Sequence, residues 1–169
     1  MISSIRQHIY ILLFSLVLFA ATSMVAIAIN PAPVLALSYN REALIGVDFS
    51  GRDLTDDNFT KANIRSSNFS NVNAQGVRFF AANMEEANFE GANLRGATLD
   101  LARMIKVNLT NALLEGAFAY NTKFEGATID GADFTDVLLR EDMQKKLCKL
   151  AKGTNPVTGR KTRETLFCD

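Results

Sequence analysis

Residues 47–141 read, in consecutive fives, VDFSG RDLTD DNFTK ANIRS SNFSN VNAQG VRFFA ANMEE ANFEG ANLRG ATLDL ARMIK VNLTN ALLEG AFAYN TKFEG ATIDG ADFTD VLLRE. Nineteen units follow one another in register without an insertion. The third place is a large apolar residue in seventeen of them, Ala74 and Ala119 being the exceptions. The first place is Ala in ten units and Val in five, the second is Asn in eight and Asp in three, and the fifth is Gly in seven.

A period of five excludes the two commonest regular structures. Five residues turn an α-helix by about 500°, leaving successive units about 140° apart, so the apolar places would scatter around its surface. In one unbroken strand, side chains alternate faces, and an odd period would send successive third places to opposite sides. If instead the chain turns a corner after each unit, every unit becomes a very short strand whose first and third places point inward. Four such sides close a square coil of twenty residues, and coils stack by strand pairing. One large and one small residue per side fill a narrow interior at the density of a protein core, and Gly and Asn suit the corners.

Counting by twenty gives the interior columns: Phe49, Phe69, Phe89, Leu109 and Ile129; Leu54, Ala74, Leu94, Leu114 and Phe134; Phe59, Phe79, Leu99, Ala119 and Leu139; Ile64, Met84, Met104 and Phe124. Each coil rests on its neighbours, as in other solenoids. Nineteen units make just under five coils, a prism about 20–25 Å tall at the usual strand spacing. The pattern seen as ANFEG, ANLRG and ADFTD resembles the pentapeptide-repeat family. That resemblance implies an all-β solenoid, a right-handed, four-sided β-helix.

The flanks differ in kind. In residues 1–36, Arg6 and His8 precede an apolar run over 9–29, and Pro31 and Pro33 lead to Val34-Leu35-Ala36, which reads as a secretory signal cleaved after Ala36. An uncleaved anchor is the other reading, and it would be the chain's one route to a membrane. Without the leader the chain has no histidine, which excludes Ser-His-Asp and Cys-His catalysis and His-ligated metal. Residues 37–46, LSYNREALIG, predict a short N-terminal capping helix with Asn40 as N-cap and Gly46 as its end, while Leu44 and Gly46 also stand where the centre and glycine of a twentieth unit would fall.

Residues 142–169 predict a helical cap over the last coil: an amphipathic helix over 142–152 ending at Gly153, a turn at Asn155-Pro156 and Thr158-Gly159, and a second short helix from Thr162. Cys148 and Cys168, the only cysteines, lie one on each segment and predict a disulfide. A redox-active pair, making the protein a thiol/disulfide-regulated protein or enzyme, is the alternative. The string LCKLAKGTNPVTGRKTRETLFCD is similar to the C-terminus of the thylakoid lumenal pentapeptide-repeat proteins of chloroplasts and cyanobacteria. This resemblance implies a disulfide-closed helical cap and location in the thylakoid lumen, the bacterial periplasm being the alternative.

Charge and surface pattern direct the functional reading. Residues 47–141 hold nine Lys and Arg against fourteen Asp and Glu, a net of −5, whereas 142–169 hold seven against three, a net of +4. This is too weak and too short for an acidic prism that mimics DNA, so no nucleic-acid partner is expected. Asp130 and Asp133 offer at most weak calcium binding, and no metal or other cofactor is expected. The wall of Phe59, Phe79, Leu99, Ala119 and Leu139 should show Phe80, Phe118, Tyr120 and Leu138 outward, a candidate patch for a protein partner. Two other readings compete: the C-terminal cap folds back over Phe118 and Leu138, or Phe118 turns inward beside Ala119. The expected function is a non-catalytic, exported interaction module, with neither its partner nor its oligomeric state set by the sequence.

Overall fold

A computed structural model of the protein describes residues 36–169. The predicted leader, except for Ala36, lies outside the described residues. From Ser38 onward the chain pairs with itself twenty residues later through single-residue parallel bridges: Asp48 with Asn68, Asp53 with Asn73, Asn58 with Arg78 and Asn63 with Asn83, and so on up to Phe118 with Leu138. Each side of the coil thus pairs through one residue, and four sides complete a turn. On the Phe69 side, the Phe69 N–H donates to Asn88 O at 2.7 Å, the Asn71 N–H to Glu90 O at 2.8 Å, and the Asn88 N–H back to Ser67 O at 2.9 Å. The Ala92 N–H then closes the corner onto Phe89 O at 3.1 Å. The fifth place, third residue of this four-residue turn, has positive φ, as a type II turn requires. Gly91 has φ 65° there, and Asn71 and Asn111 have 55° and 58°.

Ring stacking shows what the twenty-residue period builds inside. Tyr39, Phe59 and Phe79 stack at centroid separations of 4.6 and 5.2 Å. On the opposite wall Phe49, Phe69 and Phe89 stack at 4.7 Å each. Across the interior the two columns meet edge to face at 5.6–6.1 Å, both geometries that aromatic quadrupoles favour. Higher up, the aromatics move to the other two walls, where Phe124 and Phe134 lie 6.5 Å apart. Two first places carry hydroxyls instead of methyls. Ser67 Oγ and Thr122 Oγ1 each donate, at 2.6 Å, to a corner carbonyl of the coil below, Leu44 O and Leu99 O, so neither buried hydroxyl goes unpaired.

Residues 37–46 do not form the expected capping helix. They are two further units, LSYNR and EALIG: Ser38 pairs with Asn58 and Ala43 with Asn63, and Arg41 and Gly46 occupy corners with φ of 62° and 69°. The glycine that looked like a helix end is a corner glycine. The departure from pattern has a physical reason, because the first places Leu37 and Glu42 are exposed at the end of the stack and need not be small.

The C-terminal cap starts with helix α1, Glu141–Cys148. Its acidic first turn, Glu141 and Asp142, and basic last turn, Lys145 and Lys146, both suit the helix dipole. It ends four residues short of the expected Lys152 because the chain must drop onto the coil. There the Gly131 N–H donates to Lys152 O at 2.9 Å. Gly153, with φ 80°, packs so closely on Gly131 that a Cβ would fall 2.8 Å from its nitrogen. The turn that follows is a small antiparallel hairpin closed by Thr154 and Lys161, leading to the single helical turn α2, Thr162–Thr165. Asn155, fully buried, donates through Nδ2 to Gly131 O at 2.8 Å and Asn111 O at 3.2 Å, while its Oδ1 accepts the N–H groups of Val157 and Thr158. Thr165 Oγ1 accepts the Phe134 N–H at 3.1 Å. From Gly131 to Phe134 the upper edge of the coil is thereby covered by backbone and side-chain bonds from the cap, which blunts an otherwise unpaired sheet edge.

Candidate functional site

The wall centred on Phe59, Phe79, Leu99, Ala119 and Leu139 presents its second and fourth places outward. Bridges from Thr98 to Phe118 and from Phe118 to Leu138 stack those side chains in adjacent coils. Phe80, Phe118, Tyr120 and Leu138 are 37%, 45%, 57% and 56% exposed. The cap does not fold back over them, and Phe118 faces solvent while Ala119 beside it is buried. Both competing readings of the pattern are therefore set aside by the geometry.

The structure adds a residue that the outward-facing places did not include. Leu101 occupies the corner of the same wall with φ 61° and is 49% exposed. Left-handed backbone costs an L residue about 1–2 kcal/mol, and corners of this coil otherwise hold Gly, polar or charged residues, or the small Ala81. A large aliphatic group held there in water has no local justification. Its signal was in the sequence, as the one fifth place in nineteen filled by a large apolar residue.

Polar groups rim the patch. Asp100 Oδ1 accepts the Tyr120 N–H at 2.8 Å, and Arg140 donates to Asn121 Oδ1 and to Asp142 Oδ1, both at 3.0 Å. Beside Leu101 the wall runs into a cleft of about 320 Å³ lined also by Asn121, Thr122, Arg140, Met143 and Lys146. An apolar centre with a polar, partly cationic edge is the composition of a protein-binding surface.

Cys148 and Cys168 form a disulfide joining the end of α1 to the residues after α2, with Cα atoms 5.5 Å apart. Arg163 lies over it, donating to Cys148 O at 3.0 Å and Asp169 O at 2.6 Å. The cap has a second fastening. Arg160 reaches Glu115 Oε2 at 3.3 Å and Asp133 Oδ2 at 3.5 Å, and donates to Thr135 Oγ1. Burial alone would raise the carboxyl of Asp133, but Thr135, Thr158 and Arg160 outweigh it and hold it below the ordinary range. The pair considered for calcium is divided between partners, since Asp130 binds Lys152 at 3.2 Å and Asp133 binds Arg160. No group of three potential metal ligands occurs among the described residues.

A stack of square coils with an interior of paired large and small side chains, closed at one end by a disulfide-bonded cap, defines a repeat solenoid. Residues 43–134, more than half of the chain, match the family model described as a pentapeptide repeat region, and the chain belongs to the pentapeptide-repeat family. A solved structure of a pentapeptide repeat protein from the Arabidopsis thaliana thylakoid lumen is 47% identical, covers 77% of this chain and 90% of its own, and superposes with a TM-score of 0.76. The thylakoid lumenal 15 kDa protein 1 of the A. thaliana chloroplast is 57% identical over 49 residues, 29% of this chain and 22% of that protein. The thylakoid lumenal protein TL20.3 of the same plant is 51% identical over 43 residues, 25% of this chain and 15% of that one. The matched segments thus span about a fifth or less of these two relatives.

Proposed function

We propose that the protein is a non-catalytic interaction module, exported by its leader to the thylakoid lumen, that holds a protein partner against the wall of Phe80, Phe118, Tyr120 and Leu138. The carrying observation is the concentration of exposed aromatic and aliphatic side chains on that wall, extended by Leu101 in an unfavourable corner conformation. The lumenal location of similar proteins supports the compartment. Support for the absence of catalysis comes from the chemistry left after the leader: no histidine, and both cysteines committed to one disulfide. Proximity labelling from the protein in its native cell, with wild type beside a Phe80→Ser, Tyr120→Ser variant, tests the proposal. Loss of a specific set of labelled proteins in the variant is expected, and an unchanged set would sink it.

A further inference from the structure

The first place is Ala or Val in fifteen of the nineteen units because it packs inside a corner. In the column that runs from Leu37 at the end of the stack up through Val77, Ala97 and Ala117, the second member is Asp57. Asp57 is only 4% exposed. Burial pushes its carboxyl above the ordinary range, the Leu37 N–H pulls it down, and the nearby carboxylates of Asp53 and Asp56 add to the upward push. Among the described residues its hydrogen bond comes from one donor, the peptide N–H of Leu37, at 2.6 Å from Oδ1. A single uncharged N–H is poor compensation for a buried carboxylate, and the apolar residues of the coils above show that the fold does not require an acid here.

Ala36 and Leu37 are both exposed, and the peptide bond between them is the one that removal of the leader would cut. Its hydrolysis adds one water: the oxygen goes to Ala36, which leaves with a new carboxylate, and both hydrogens go to the nitrogen of Leu37, which becomes an α-ammonium group. That nitrogen already sits at hydrogen-bond distance from Asp57. Cleavage changes what it offers, from one neutral donor to a cation with three N–H groups, beside a carboxyl whose hydrogen bond among the described residues comes from that nitrogen alone.

We propose that Asp57 is the docking site for the α-ammonium group that cleavage after Ala36 creates at Leu37, so that processing exchanges a peptide hydrogen bond for an ion pair that fastens the first unit. The unit so fastened carries Tyr39, whose ring closes the aromatic column on Phe59. The inference rests on reading residues 1–36 as a cleaved leader, and it goes further by giving the new terminus a receptor within the fold.

The test uses protein exported by the cell that makes it. Intact mass is expected to give Leu37 as the first residue. The protein is then exposed to a limiting amine-acylating reagent at neutral pH and the modified sites are read by mass spectrometry. An opposite charge in contact raises an amine's pKa by about 1–3 units, so acylation of Leu37 should be roughly ten- to a thousandfold slower than that of a free α-amine. Asp57→Asn should restore fast acylation. So should Asp57→Val, which repeats Val77 of the coil above and guards against simple loss of fold, while Asp56→Asn should leave the amine protected. A first residue other than Leu37 overturns both the cleavage reading and this site. Leu37 in first place with a freely reactive amine, or an equal effect from Asp56→Asn, overturns the site alone.

Discussion

On the wall of Phe49, Phe69 and Phe89 the outward second places are Asp48, Asn68, Asn88 and Asn108; on the opposite wall they are Asn58, Arg78, Thr98, Phe118 and Leu138. Inside, the two walls hold equivalent stacks of rings. Outside, the first forms a ladder: Asn68 donates to Asp48 Oδ1 at 3.1 Å, Asn88 to Asn68 at 3.4 Å and Asn108 to Asn88 at 3.0 Å. Each oxygen also accepts the N–H two residues on in its own unit, as Asn68 Oδ1 does from Ser70 at 3.1 Å and Asn88 Oδ1 from Glu90 at 3.1 Å. The second place therefore has a structural use, and asparagine serves it. The Phe118 wall lacks the ladder between coils and keeps the in-unit bond only at Asn58, whose Oδ1 accepts the Thr60 N–H at 3.0 Å; this loss, with no gain inside, supports the solvent-facing use proposed for its apolar side chains.

The comparison can be broken or sharpened experimentally. If the interiors are equivalent, Phe69→Ala and Phe79→Ala should each cost about 3–5 kcal/mol in urea unfolding; a much smaller loss for either would mean that its wall is the softer one. Next in size is the cap's fastening to the roofed Leu114 and Phe134 side, where Arg160→Met should cost about 1.5–3 kcal/mol. The sign of its pH dependence follows from Asp133. Its folded pKa is depressed, so its contribution is present above the unfolded value near 3.9 and is lost as pH falls through the folded value. Wild-type stability should accordingly fall on acidification below about pH 5, and Arg160→Met should flatten that limb in melts taken across the range.

Smaller effects separate the outer faces. Asn88→Ala interrupts the ladder and should cost about 1 kcal/mol. Phe118→Ser should change stability by less than about 0.5 kcal/mol, while reducing capture of the labelled partner in the same preparations. A stability loss at Phe118 as large as at Asn88 would make that wall structural and remove the case for a partner.

The sequence displayed the coil so fully because its fold depends on side-chain size at a fixed period, which can be counted. Cys148 and Cys168 were legible for a similar reason, being the only two of their kind. In residues 37–46 the repeat was only partly legible: Leu44 and Gly46 kept its places, but the end units need no small first place, so Leu37 and Glu42 hid the rest and the segment read as a helix. The patch residues followed from strand alternation, but Leu101 did not, since it lies at a corner and owes its exposure to backbone conformation. The role of Asn155 could not be counted either. It depends on the approach of Gly153 to Gly131, two residues 22 apart in sequence and outside the repeat's own register.

The single-residue bridges carry one more consequence. With no long strand to hold a direction, the compass bearing of every side chain is set by its count from the start, modulo twenty. Removing a block of twenty residues would shorten the prism and leave all bearings intact. Adding one unit of five between Phe80 and Phe118 would keep every corner and column viable, yet swing Phe118, Tyr120 and Leu138 a quarter turn away from Phe80. The patch is thus an alignment that length alone maintains, and in this fold a change in length is a change of aim.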